Sequence, residues 1–161
     1  MDDKAELINV MQSIPWFYEM EPRIFDKIAG ICELTSYEAG QYLFREGDKE
    51  DYLYIMVEGR VALEIHVPGR GTMRVYTAEP MDIVGWSSIT PVVRQRTAAA
   101  RAVLPSRLLR MLAADLYRFC DEDHDLGYVV MRRLSNVVAS RLLTTRLQLL
   151  DMFAHPDVKE V

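Results

Sequence analysis

The sequence predicts a single, mainly β domain, a sandwich or barrel of short strands flanked by helices, and two observations carry that prediction. Between Cys32 and Arg110 apolar residues recur with a period near two, and glycine-bearing turns interrupt them at Ala39-Gly40, Glu46-Gly47-Asp48, Glu58-Gly59-Arg60 and Pro68-Gly69-Arg70-Gly71. From about His124 to Met152 the period becomes that of one long helix, without proline and with a single glycine, Gly127, near its start. At 161 residues, half of them apolar, the chain is long enough for one domain with its own core.

Residues 1–31 are expected to be helical. Lys4 to Met11 shows mild helical periodicity, and Ser13-Ile14-Pro15-Trp16-Phe17 is an aromatic break. Pro22 suits the first turn of a helix through Lys27 and Ile28, because its φ is fixed and its missing donor costs nothing there. That helix should end at Gly30. Residues 32–111 form the β part. Within it, residues 52–57 and 61–65 flank Gly59 as a predicted hairpin, with glycine supplying the positive φ of a tight turn. Residues 113–152 hold the C-terminal helices: a short one over 113–120, then the long one, whose N-terminus is complemented by Asp121, Glu122 and Asp123.

The long helix has apolar residues on two faces. Met131, Leu134, Val138, Leu142, Leu149 and Met152 lie on one stripe, and Val130, Val137, Leu143, Leu147 and Leu150 lie elsewhere. Two apolar faces imply two contacts. One face can cover the β domain, and the other meets a second copy of the helix in a two-fold dimer or lies in a groove of its own domain.

A net charge of -5 provides no global attraction to nucleic acid or to an anionic membrane. The arginines are nevertheless concentrated after Arg94, while acids dominate before it, which suits a local anion site. Arg94 itself reads as a solvated charge. No stretch approaches the ~20 apolar residues needed to span a bilayer, and the first residues lack the basic and apolar regions of a secretory signal. The expected location is the cytoplasm, with Cys32 and Cys120 as buried, reduced thiols. His66, His124 and His155 show no metal spacing, and no nucleophile with a base has local support, so neither a metal nor a catalytic site is expected.

Residues 85–101 read G-W-S-S-I-T-P-V-V-R-Q-R-T-A-A-A-R. Gly85 opens a short polar turn through Ser87 and Ser88 whose free N–H groups would point at one spot and attract an anion. Arg96 offers a planar fork of donors suited to a phosphate, and Thr97 adds a hydroxyl. Ala98, Ala99 and Ala100 keep side chains small where something else comes close. Taken one by one, the same residues are a turn and a solvated arginine.

Together, the G-x-x-x-I…R-T-A-x-x-R-A pattern over residues 85–102 resembles the phosphate-binding cassette of the cyclic-nucleotide-binding domain, as found in the bacterial catabolite activator protein and its relatives. The run F-R-E-G-D-K-E-D-Y-L-Y-I-M-V-E-G-R-V-A-L, residues 44–63, is similar to the hairpin leading into that cassette, and the likeness extends over roughly residues 14–152. The resemblance implies a double-stranded β-helix, or jelly roll, with the cassette at residues 85–98 and a long C-terminal helix that dimerises. It also implies a regulatory sensor and not a catalyst, with a cyclic nucleotide as effector and no cofactor required. Gly85, Ser87, Ser88 and Ala98 would surround the anion, Arg96 and Thr97 would bind the phosphate oxygens, and Thr145 on the long helix would read the purine. Without the cassette, Thr145 reads as a tolerated polar position on a helix seam. Arg101 matches the family's second, structural arginine.

One residue departs from the pattern. Where nucleotide-binding relatives carry a glutamate that accepts the ribose 2′-hydroxyl, this chain has Trp86, whose indole has one donor and no acceptor. Trp86 stacks on the ligand or closes the site. In the second case the chain is a dimerisation or protein-interaction module with an unidentified protein partner. Relatives that act as transcription factors carry a helix-turn-helix domain after the long helix; this chain ends about nine residues past it, so DNA binding is not expected of it.

Overall fold

The computed structural model describes residues 3–49, 51–90, 92–93 and 95–155; Arg94 lies outside them. Helix α1 (Asp3–Ser13) and a 3-10 turn (Pro15–Phe17) lead into α2 (Pro22–Ala29), which begins with Pro22 as its first residue and is followed by Gly30. Eight strands follow: β1 (Cys32–Tyr37), β2 (Tyr42–Phe44), β3 (Tyr52–Glu58), β4 (Val61–Val67), β5 (Gly71–Ala78), β6 (Ile83–Val84), β7 (Ala99–Ala102) and β8 (Ser106–Leu112). They form two four-stranded antiparallel sheets, ordered β1-β8-β3-β6 and β2-β7-β4-β5. Helices α3 (Ala113–Glu122) and α4 (His124–Ala154) complete the chain.

The pleat explains why β3 and β8 read as almost unbroken apolar runs. Successive side chains leave a strand on opposite faces, so a strand buried on both sides has no polar face. Tyr54 and Met56, with Leu108 on β8, point into the space between the sheets, where Val84 and Ala100 meet them. Leu53 and Ile55, with Leu109 and Met111, point the other way, into a second core roofed by Ile24, Ile28, Leu116, Leu126 and Val130. The register agrees, pairing Leu53 with Met111 and Ile55 with Leu109.

The predicted hairpin around Gly59 does not form. Strands β3 and β4 belong to different sheets, and β4 instead pairs with β5 and β7. The cause is a crossing between layers: the chain turns at Gly59 (φ 88°) and passes directly against Pro105 and Ser106. Ser106 Oγ accepts from the Arg60 N–H (3.0 Å), and the Val103 N–H donates to the Arg60 carbonyl (2.9 Å). These contacts hold the crossover where a two-strand ladder was expected.

Helix α4 is capped by Asp123, whose carboxylate accepts from the Leu126 N–H at 3.2 Å. Its contacts divide along its length rather than between two full-length stripes. Leu126, Val130 and Leu134 recur every four residues and are fully buried, with Val137 and Val138 half-buried beside them. Each such side chain contributes about 1.5–3 kcal/mol by leaving water. From Leu142 onward the apolar side chains stand exposed. No disulfide joins the cysteines: Cys32 is buried and Cys120 half-buried, and burial pushes their thiols up to about 12 and about 11. The long separation of Cys32 and Cys120 in sequence thus corresponds to two neutral, poorly nucleophilic thiols.

Candidate functional site

The site is built where β6 ends. Gly85 adopts the left-handed conformation (φ 77°, ψ 29°) and opens a 3-10 turn, Trp86–Ile89, that swings the chain away from the sheet. The Ser88 N–H (3.0 Å) and Ser88 hydroxyl (2.7 Å) both donate to the Gly85 carbonyl, and the Thr90 hydroxyl donates to the Ser87 carbonyl (2.8 Å). The turn is thus tightened by its own short side chains.

Arg96 reaches back to this turn from the start of the following segment. It is only 4% exposed. One terminal nitrogen donates to the Tyr52 carbonyl (2.6 Å) and the other to the Gly85 carbonyl (3.3 Å), while the guanidinium lies 4.0 Å from the centre of the Phe44 ring. A Cβ at residue 85 would stand 2.6 Å from the arginine's Nη1, so the glycine is required by close approach as well as by its dihedral angle. The arginine's main chain is fixed too. Its N–H donates to the Asp48 carbonyl and its carbonyl accepts from the Gly47 N–H, both at 2.8 Å. The two stretches singled out in the sequence, 44–63 and 85–102, are therefore physically joined through Arg96.

The other candidates are dispersed. Thr97 is exposed and Ala98 half-buried next to it, at the entry to β7. Trp86 is half-buried and packs against the helical core rather than among the residues between the sheets. Thr145 is exposed on α4, with its hydroxyl donating to the Arg141 carbonyl one turn back (2.9 Å). Neither Phe44 nor the Tyr52 carbonyl was distinguishable in the sequence as an arginine support. A main-chain acceptor has no residue type, and an aromatic in a strand reads first as core.

Arg101 holds a different position. It meets Glu64 across β7 and β4 with two bonds, Nε to Oε1 at 2.8 Å and Nη2 to Oε2 at 3.1 Å. The hydrogen bond from Arg101 keeps the Glu64 carboxyl below its usual range, against the opposing effect of burial. A lowered folded value means that this stabilisation is present above the unfolded carboxyl value of about 4.3 and disappears as pH falls through the folded one. Arg101→Met is accordingly expected to cost about 1–3 kcal/mol at neutral pH. In urea titrations followed by circular dichroism, its deficit relative to the parent should shrink below about pH 4. A deficit independent of pH would assign the loss to packing alone.

Two antiparallel sheets, an arginine seated on a left-handed glycine and a long C-terminal helix define a β-roll with a candidate anion site. The comparisons agree. Residues 34–123 match the cyclic nucleotide-binding domain family, and the chain belongs to it. Among curated proteins it is 27% identical over 84 residues to cyclic nucleotide-gated ion channel 18 of Arabidopsis thaliana, covering 52% of this chain and 12% of the channel. The chain thus spans a small part of the curated relatives it matches. A solved cyclic nucleotide-binding domain from Methylobacillus flagellatus superimposes with a TM-score of 0.77 at 21% identity, over 92% of this chain and 83% of the other. The sensor domain of the transcriptional regulator DNR from Pseudomonas aeruginosa does so with a TM-score of 0.71 at 20% identity, over 88% and 95%. At those identities the two structures speak to the fold.

Family membership makes this a cyclic nucleotide-binding domain. Among the described residues no helix is long and apolar enough to cross a membrane.

Proposed function

We propose that the chain is a ligand-sensing module that takes a cyclic nucleotide, cAMP or cGMP, by its phosphate at the cassette and works as a homodimer through α4. The observation that carries the reading is Arg96. A guanidinium buried beside Gly85 and held by two carbonyls and an aromatic face is preorganised charge in a low-dielectric setting, where a single anionic phosphate gains most. Thr97, exposed alongside, supplies a hydroxyl to the same oxygens, and the Gly85, Ser87 and Ser88 turn with Ala98 forms the surrounding wall. Trp86, packed towards the helices, leaves the ribose hydroxyl without the usual carboxylate acceptor. Discrimination then rests on the base, for which Thr145 is the reader, from this chain or from its partner copy.

Isothermal calorimetry with cAMP and cGMP tests the assignment. Heat saturating in the micromolar range, roughly 8 kcal/mol of binding free energy, is the expected result. The absence of heat up to millimolar ligand, in a protein that still dimerises, would transfer the chain to the second reading, an interaction module without a ligand.

The dimer draws on the outer half of α4, where Leu143 (59%), Leu147 (58%), Leu150 (62%) and Phe153 (74%) stand exposed. Apolar residues recurring at three- and four-residue spacing on an uncovered helix match a helix–helix seam. The double variant Leu143→Glu, Leu147→Glu is expected to sediment as a monomer with an unchanged melting profile of the β-roll. A parent that already sediments as a monomer at about 100 μM would remove this part of the proposal, since a seam of this kind binds more tightly than that.

A further inference from the structure

A cavity of about 530 Å³ lies outside the β-roll, between the N-terminal turn, the β5–β6 connection and the middle of α4. Its volume is in the range of sites for small organic ligands. The cassette residues Gly85, Arg96 and Thr97 are not among those lining it. Pro15, Trp16, Met81 and Val137 give its lining an apolar part, and Asn136, Ser140 and Arg141 on α4 give it a polar one.

Arg141 is poised unusually for a residue that only holds the fold. Its Nη2 donates to the Ile83 carbonyl (2.7 Å) and its guanidinium lies 3.4 Å from the centre of the Tyr76 ring. Its Nη1 is buried with no hydrogen-bond partner among the described residues, and the same is true of the indole Nε1 of Trp16, which also lines the cavity. Buried donors without acceptors are rare because each forfeits its hydration. Two of them belong to residues that line this one cavity. The only non-glycine residues with positive φ among those described, Glu19 (58°) and Met81 (77°), border it as well, and such conformations cluster at ligand sites.

From these observations we infer that the cavity is a second ligand site, separate from the cassette, for a small aromatic monoanion whose carboxylate meets Arg141 and whose ring lies against Trp16. Arg133 borders the cavity too, but its terminal nitrogens already donate to the Trp16 and Tyr18 carbonyls, and the carboxylates of Asp82 and Glu19 stand beside it, so a single negative charge is favoured over a dianion. Asp82 is already engaged, accepting from the Tyr76 hydroxyl (3.1 Å) and the Glu79 N–H (2.9 Å). Asn136 and Ser140, both exposed on α4, add neutral hydrogen-bonding groups at the rim. Occupancy would also bear on the cassette, since Arg141 grips the carbonyl of Ile83, two residues before Gly85.

The test uses the full chain labelled with nitrogen-15, and phenylacetate as the probe. The chain has two tryptophans and therefore two indole N–H signals. Phenylacetate is expected to move the Trp16 indole signal with a dissociation constant below about 1 mM, and neutral phenylacetamide to bind at least about tenfold more weakly. Arg141→Met should weaken phenylacetate by about tenfold or more. Ser140→Phe, which fills the cavity from an exposed helix position, should abolish binding while leaving the remaining spectrum folded. The inference is overturned by a Trp16 signal that does not move, by equal affinity for acid and amide, by retained binding in folded Ser140→Phe, or by shifts confined to the Gly85 and Thr97 amides. Calorimetry with cyclic nucleotide reads the cassette independently, so failure here and failure there are separate results.

Discussion

Gly59→Val is expected to destabilise the domain by about 3–5 kcal/mol, the upper end of single-substitution effects. A Cβ there would stand 2.5 Å from the Pro105 carbonyl oxygen and 2.6 Å from the Ser106 Cα, and main-chain atoms cannot rotate away as a side-chain tip can. The residue also sits at φ 88°, which a β-branched side chain tolerates poorly. For a chain of this length the loss corresponds to a fall in melting temperature of about 10 °C or more, readable by calorimetry. Gly69→Ala is the control. Residue 69 has a similar φ of 80° with open space around it, so it should lose only the conformational part, about 1 kcal/mol. Equal losses at the two positions would mean that the crossover is looser than the contacts at Pro105 and Ser106 require.

Arg96→Ala is expected to reduce cyclic-nucleotide affinity by at least about 100-fold, near 3 kcal/mol, since charge-assisted bonds are worth about 1.5–3 kcal/mol each. It should also lower stability by about 2 kcal/mol, because the guanidinium's bonds to the Tyr52 and Gly85 carbonyls are lost and the Phe44 face loses its cation. Arg96→Lys separates the two effects. A lysine keeps the charge but lacks the planar fork that spans two acceptors, so it should recover part of the affinity and little of the stability. Calorimetric titration and thermal melts of both variants give the comparison. Affinity unchanged in Arg96→Ala would move any nucleotide binding away from the cassette.

The two effects share an origin in how the chain passes between layers. The Gly59 crossover lets β3 and β4 lie in different sheets, and this opens the space in which Arg96 is seated between Tyr52 and Phe44. Ala100, fully buried between those sheets, shows why the alanine run follows the arginine: a larger side chain there would meet Tyr54 and Leu108. The glutamate partner of Arg101 belongs to the same wall. Its pH dependence and the stability change at Arg96 therefore report on one roll from opposite sides.

Local signals decided a large part of this protein. Pro22 at a helix start, the acids at 121–123 before the long helix, the turn glycines and the even spacing of short strands depend on a residue and its close neighbours, so they are readable without the fold. Gly85 and Arg96 were legible as members of one motif by resemblance to the family, but the bond from Arg96 to the Gly85 carbonyl, eleven residues back, was not. Sequence could not say which strands pair. The stretch at 52–65 has the alternation and the glycine of a hairpin, yet the contact of Gly59 with residues 105 and 106 sends its halves into separate sheets, and no local pattern encodes a neighbour more than forty residues away. The same limit applies to α4, whose apolar stripes look continuous although only the first half finds a surface to cover. It applies again to Arg141 and Trp16, ordinary residues in sequence, which the packing of three distant segments brings to the walls of one cavity with their donors unmatched.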